Sequence, residues 1–246
     1  MLPLKHIDPA DWMTDHRSVK IMRVLGGYAD EPEALFVGGC VRNLLLGLPV
    51  SDLDIATIHP PLQVIEKLKN DGIRFIPTGL EHGTVTAFID DAKFEITTLR
   101  KDIETDGRHA VIAFTDKWEE DAKRRDFTIN TLLASPQGMV FDPLERGIDD
   151  LEMRLVKFVG NPQERIAEDY LRILRFFRFY AQYGSGAPDK EALGACADNA
   201  AKISLLSKER VTQEILKIVS VANCCLLIAC HLRCSRRRHR CLRRRR

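Results

Sequence analysis

LFVGGCVRNLLLGLPVSDLDIAT, residues 35–57, decides the fold. An apolar strand over residues 34–37 runs into Gly38-Gly39, where the missing side chains let the backbone turn sharply. A short helix over residues 41–46 follows and stops at Gly47 and Pro49, common helix-ending residues. Residues 51–57 then alternate as a strand, with Leu53 and Ile55 on one face and Asp52 and Asp54 on the other.

Two carboxylates spaced two apart on a strand project from the same face. They repel each other unless a cation lies between them. Oxygen ligands of this kind suit Mg²⁺, which keeps waters and substrate phosphates in its shell. Two such ions, roughly 4 Å apart, can activate an attacking hydroxyl and stabilise a leaving pyrophosphate. Alone, the pair is more often a solvated strand face or a turn, and its surroundings are what point to metal. Gly38-Gly39-Cys40-Val41-Arg42 is a glycine turn opening a helix, where backbone N–H groups can meet a triphosphate. Arg42, one turn in, can add charge-assisted hydrogen bonds. Downstream, strands over residues 84–89 and 93–99 are joined by a turn at Asp90-Asp91. The second carries Glu95 on the face opposite Phe94 and Ile96. Three acids on neighbouring strands beside a glycine turn make a phosphoryl-transfer constellation.

Outward from this centre, helices are expected over residues 18–26 and 61–69, the latter opened by Pro61. The polar stretch 101–117 reads as a mobile loop and 118–134 as a helix. Asn161-Pro162 caps a long helix that ends near Gly184, and two shorter helices reach about Val219. On the long helix Ile166, Tyr170, Ile173, Leu174, Phe177 and Ala181 form an apolar stripe. Arg165, Asp169 and Arg172 gather on another face, which from spacing alone equally describes a surface ion pair of little energetic weight. The fold class is therefore α+β: a mixed-sheet head (1–137), a connector (138–160) and an all-α neck (161–221).

The chain has 246 residues, 45% hydrophobic and 29% charged, which suits one large or two smaller globular domains. The N-terminus lacks a basic start followed by an apolar run, and the apolar stretch 219–232 is interrupted and short of a membrane span. A cytoplasmic protein without a membrane partner is expected. The net charge of +2 conceals nine arginines and no acid after Ala229, together with five of the seven cysteines after Asn223. Residues 222–246 therefore read as an atypical Cys/Arg-rich terminus. An out-of-frame end explains this better than an RNA-binding tail, and its Cys and His spacing matches no usual zinc template.

Residues 35–57 resemble the first motif of class II tRNA nucleotidyltransferases (CCA-adding enzymes) and bacterial poly(A) polymerases, within the polymerase β superfamily. RRDFTINTLL (124–133) is similar to their second motif, EDYLRILRFFRF (168–179) to the base-selecting motif, and SKERVTQEILKI (207–218) to the later neck motif. The resemblance runs from residue 35 to residue 218, about three-quarters of the chain, in the family's own order. It implies a polymerase β-like head and addition of CMP and AMP from CTP and ATP to tRNA 3′ ends. Asp52 and Asp54 would hold Mg²⁺, with Glu95 as supporting catalytic carboxylate. Gly39 and Arg42 would contact the triphosphate and Arg125 a phosphate or sugar, while Asp126 and Asn130 would support the ribose and local fold. Asp169 and Arg172 would read the base edge, with Arg175 and Arg178 completing the nucleotide pocket. A carboxylate accepting from an exocyclic amine and an arginine donating to a ring acceptor suit both cytosine and adenine.

Two departures accompany the resemblance. Asn43 stands where the family usually has Asp, removing a charge that would orient Arg42, and the Cys/Arg-rich terminus stands where body and tail helices would follow. His82 and His109 are expected to be structural. A poly(A) polymerase is the nearest alternative, although IRFIPTGLEHGTVTAF lacks the Arg-rich stretch of those enzymes. CC-only or A-only addition and an inactive nucleotide- or RNA-binding remnant stay open, as does the oligomeric state.

Overall fold

The computed structural model describes residues 1–106 and 109–220. The terminus at 222–246 and the Gly107-Arg108 pair lie outside them. The chain divides into two compact units, Met1–Glu152 and Met153–Arg246.

The first unit begins with β1 (Lys5–His6), α1 (Asp11–Thr14), α2 (His16–Val24), β2 (Ala34–Val37), α3 (Gly39–Leu45) and β3 (Leu53–Thr57). It continues with α4 (Pro61–Asn70), β4 (Arg74–Gly79), β5 (Thr84–Ile89), β6 (Ala92–Thr98), β7 (Arg100–Asp106) and β8 (His109–Phe114). It closes with α5 (Trp118–Lys123), β9 (Leu133–Ala134), β10 (Met139–Phe141) and α6 (Gly147–Glu152). Eight strands form one sheet in the order β1-β10-β9-β2-β3-β6-β5-β4. Near its centre β3 and β6 pair in parallel, and the register sets Asp54 directly opposite Glu95.

Both faces of the sheet centre are buried, which is why Ala34–Val37 reads as an unbroken apolar run. By alternation Phe36, Ile55, Phe94 and Ile96 share one face, and all are essentially inaccessible. Trp12 meets Phe36 edge-on with ring centroids 4.9 Å apart. On the other face Leu35, Val37, Ala56, Leu133 and Phe141 cluster beneath Trp118. Asp54 and Glu95 lie farther along that same face, so the acids border an apolar patch that fixes their strands.

Two expected elements of the first unit differ. The supposed loop 101–117 is an antiparallel hairpin, with Arg100 opposite Phe114 and Asp106 opposite His109. Backbone pairing organises a stretch whose side-chain pattern is weak. The helix expected over 118–134 stops at Lys123, because Phe127 is extended (φ −127°, ψ 146°) and residues 133–134 are needed as β9 between β2 and β10. Asp126 holds the break by accepting from the Phe127 N–H at 2.9 Å and from Asn130 Nδ2 at 3.0 Å. Residues 138–160 are divided too, since β10 belongs to the sheet and Asp150 of α6 accepts from the buried Thr128 hydroxyl at 2.7 Å.

The second unit contains α7 (Pro162–Glu168), α8 (Leu171–Tyr183), α9 (Lys190–Asn199), a short 3₁₀ turn and α10 (Lys208–Val219). The single long helix expected from Asn161 to Gly184 is broken at Asp169, which is extended (φ −155°, ψ 109°). Its carboxylate accepts from the Leu171 N–H at 3.1 Å and so caps α8. Restarting the helix there turns its buried face, so Ile173, Phe176, Phe179 and Tyr183 go inside while Leu174 and Phe177 are only partly covered. Phe158 stacks on Phe176 with centroids 5.7 Å apart. Among the described residues no helix is long and apolar enough to cross a membrane.

Candidate active site

The site is built where β2 turns into α3. Gly38 has φ +72° and ψ −117°, a conformation a side chain would strain, and its N–H donates to Leu132 O at 3.1 Å. A Cβ there would lie 3.4 Å from Arg125 Nη1. Gly39, the expected phosphate contact, opens α3 with only Arg42 Nη2 near a hypothetical Cβ, at 3.8 Å.

Arg42 is 6% exposed, and its guanidinium is held on two sides. Nη1 donates to Asn130 Oδ1, and Nε and Nη2 donate to Asn43 Oδ1 at 3.2 and 2.9 Å. Asn43 Nδ2 in turn donates to Pro49 O at 2.9 Å. The amide therefore orients Arg42 through its carbonyl, without a charge. Its NH₂ ties α3 to the loop leading to Asp52, a bond no carboxylate can donate.

Asp52 sits one residue before β3, exposed, with its carboxylate accepting from Ser51 Oγ at 2.9 Å. Asp54 is half-buried. Burial raises its carboxyl pKa, and the negative charges of Glu95 and Asp52 add to the effect, while Arg125 and Lys93 oppose it. Glu95 keeps half of its side chain in solvent, 3.9 Å from Lys93 Nζ. Among the described residues no group of three His, Cys, Asp or Glu side chains is gathered as a ready-made metal cage. The donor set nevertheless fits Mg²⁺: two carboxylates in a field of excess negative charge, with phosphates and water as the remaining ligands.

Arg125 lies between the acids and the glycine turn. Its Nε and Nη2 donate to Asp121 Oδ2 at 3.1 and 2.9 Å, and Nη1 reaches Asn130 O at 3.5 Å. Arg124 Nε takes Asp121 Oδ1 at 2.9 Å. Burial alone would raise the carboxyl of Asp121, which is 3% exposed; Arg125 and Arg124 outweigh it and hold the group below its ordinary range. Asp121, Arg125, Asn130, Arg42 and Asn43 thus form one continuous polar network. Asp121 was missed from the sequence, although its spacing of three and four residues before Arg124 and Arg125 is a helical pairing signal. Cys40, within the glycine turn, is buried with its thiol pushed up to about 11, and stays protonated.

In the second unit Asp169 and Arg172 are neighbours held by other partners. Asp169 Oδ2 accepts from Arg210 Nη2 at 2.7 Å, and Arg172 Nη1 donates to Glu168 and to Arg165 O. Arg175 lies over the Phe179 ring at 5.4 Å. Arg178, placed in the nucleotide pocket by the resemblance, donates from Nε to Glu214 Oε1 at 2.5 Å and clamps α8 to α10. Arg210 and Glu214 were not singled out from the sequence, because a partner on a separate helix leaves no spacing signal; Glu168 was missed although it lies three residues after Arg165 and four before Arg172.

Residues 34–157 match the poly(A) polymerase head-domain family. The human mitochondrial CCA tRNA nucleotidyltransferase 1 is 46% identical over 190 residues, covering 76% of this chain and 44% of the human protein. The CCA-adding enzyme of Lactobacillus delbrueckii is 40% identical over 188 residues, covering 76% of this chain and 46% of its own length. The chain thus spans less than half the length of these relatives. The Bacillus stearothermophilus CCA-adding enzyme solved with CTP superposes with a TM-score of 0.71 at 34% identity, over 81% of this chain and 47% of the other. Sequence motifs, sheet topology and these matches converge, and the chain belongs to the poly(A) polymerase head-domain family.

Proposed function

We propose that this chain transfers CMP and AMP from CTP and ATP to the 3′ end of tRNA without a template, releasing pyrophosphate. The observation that carries the proposal is the placement of Asp54 directly opposite Glu95, with Asp52 adjacent, beside a glycine turn and two anchored arginines. The names of the similar proteins favour tRNA and CCA addition over a long poly(A) product.

Asp52 and Asp54 would hold Mg²⁺; when bound, the ion lowers the cost of ionising the attacking hydroxyl and offsets charge on the departing pyrophosphate. The chain's own groups do the rest. The turn at Gly38-Gly39 leaves space and backbone donors for the triphosphate. Arg42 and Arg125 present guanidiniums whose orientation is already fixed, so little ordering remains for the reaction itself. Glu95 holds negative charge beside Asp54 and strengthens the attraction for a cation there. In the neck, the capping role of Asp169 and its bond to Arg210 fix a carboxylate that still has lone pairs for an exocyclic amine. Arg172, held by Glu168, would donate to the ring acceptor of the same base. The division into a catalytic head and a nucleotide-selecting neck is part of this proposal, with β10 and α6 counted in the head. So is work in the cytosol, beside a human relative whose name is mitochondrial, and a fluorescent fusion decides between those compartments.

The test is incubation with tRNA lacking CCA, labelled CTP or ATP, and Mg²⁺. Expected is metal-dependent extension by C, C and A. No incorporation refutes the proposal, and long tracts from ATP alone assign the chain to poly(A) synthesis.

A further inference from the structure

Asp121 is asked to balance more positive charge than it carries. Arg125 occupies Oδ2, and Arg124 occupies Oδ1 through Nε. Arg100 adds its backbone N–H to Oδ1 at 3.3 Å. The guanidinium of Arg100 donates from Nη1 to His82 O, yet its buried Nε has no hydrogen-bond partner. Burial, and then repulsion from Arg124, bring its pKa down to about 10; Asp121 and Asp102 oppose this, and Arg125 adds to it. Three guanidiniums thus face two carboxylates, one of them already shared. A half-buried cation whose shielded Nε has no partner, set beside a second cation, is unfavourable unless an anion arrives.

We propose that Arg100 and Arg124 form an anion subsite that takes a phosphate group, on the Oδ1 side of Asp121 and beyond the Arg125 position next to Gly38. Arg100 belongs to β7 and Arg124 follows α5, so the subsite joins the hairpin base to the catalytic network. The chemistry is that of a phosphate oxygen met by planar guanidinium donors. Resting on the nucleotidyl-transfer proposal, its source is either the far end of the nucleotide's triphosphate or a phosphodiester of the primer strand.

The test is calorimetric titration of the full chain with inorganic tripolyphosphate and, separately, with a short RNA ending in CC. Variants are Arg100→Gln, Arg124→Gln and, as a charge-matched control at an exposed position of α5, Lys123→Gln. Expected is about a tenfold weakening in both arginine variants and none in the control. Loss confined to tripolyphosphate assigns the nucleotide, and loss confined to RNA, with a shallower salt dependence, assigns the primer. Because removing Arg100 relieves repulsion, Arg100→Gln should melt no lower than wild type. Binding within twofold of wild type in both variants overturns the subsite, as does a wild type that binds neither probe. A drop of several degrees in Arg100→Gln also overturns it, since the arginine is then structural. Arginine-dependent anion binding without CTP incorporation leaves the subsite standing and removes the functional proposal.

Discussion

Replacing Asp54 by Asn should make the metal-free protein more stable while removing its activity. Strands in a sheet lie about 4.8 Å apart, so the Asp54 and Glu95 carboxylates, directly opposite in register, are close neighbours. Two unit charges about 5 Å apart at an effective dielectric constant near 20 repel by about 3 kcal/mol. The Glu95 side chain is 49% exposed, and solvent together with Arg125 reduces this to about 1 kcal/mol. For a chain of this size that is roughly 2–4 °C in melting temperature. The sign follows from the raised carboxyl of Asp54: the folded state keeps this proton to a higher pH than the unfolded state. The gain from the amide is therefore absent at pH values where Asp54 is protonated in both states. It appears as pH rises above 3.8 and is complete above the folded-state value. The assay is thermal unfolding at neutral pH in EDTA, repeated with Mg²⁺ and CTP. The Asp54→Asn protein should melt higher in EDTA, gain less from Mg²⁺ and CTP than wild type, and extend tRNA at least about 10²-fold more slowly. A variant that melts lower than wild type in EDTA would show that Asp54 is a satisfied structural acid, and the electrostatic case for a cation site would fail.

Gly38→Ala forces a side chain into φ +72°, at a cost of about 1–3 kcal/mol, and sets a methyl group in contact with Arg125. It should raise the KM for nucleotide and lower the melting temperature, whereas Gly39→Ala should be milder; equal effects from the two would contradict the assigned turn geometry. Glu214→Ala leaves Arg178 without its anion, and because Glu214 is 3% exposed the loss should be about 3 kcal/mol. Hydrogen exchange across α8 and α10 would show it, the double change Arg178→Met with Glu214→Leu should recover most of it, and a loss below about 1 kcal/mol would mean the clamp is not structural.

The proposed catalytic centre was legible because its chemistry is local. A strand, a glycine turn, a helix and a second strand are contiguous, and alternation puts Asp54 on the face that carries Glu95, while Asp52 precedes the strand. The parallel pairing that brings Glu95 against Asp54 is not contained in either segment, although Glu95's outward face is. What failed were elements decided by tertiary pairing. Residues 133–134 have no strong strand signal, yet the sheet needs them between β2 and β10, and a helix through them is lost. Asp169 looks like an interior helix position until its carboxylate is seen capping Leu171, since an Asp that can bond to its own backbone favours a break. Arg178 and Glu214 lie on different helices, so no spacing in either reveals the pair.

The charges of the head are out of balance in two places and opposite in sign. Carboxylates are in excess at Asp54, and guanidiniums are in excess at Asp121. Arg125 could cancel part of both by swinging fully onto the acids. It does not, because Asp121 holds two of its nitrogens and its third lies at the Asn130 carbonyl. Asp121 therefore has a task beyond stabilising a helix end: it keeps an arginine near enough to temper Asp54 and too far engaged to occupy it. On the proposed function, such a site would attract a divalent cation on one side and phosphate on the other. A ligand carrying both, a metal-bound nucleoside triphosphate, would relieve the two imbalances together, which neither partner alone would achieve.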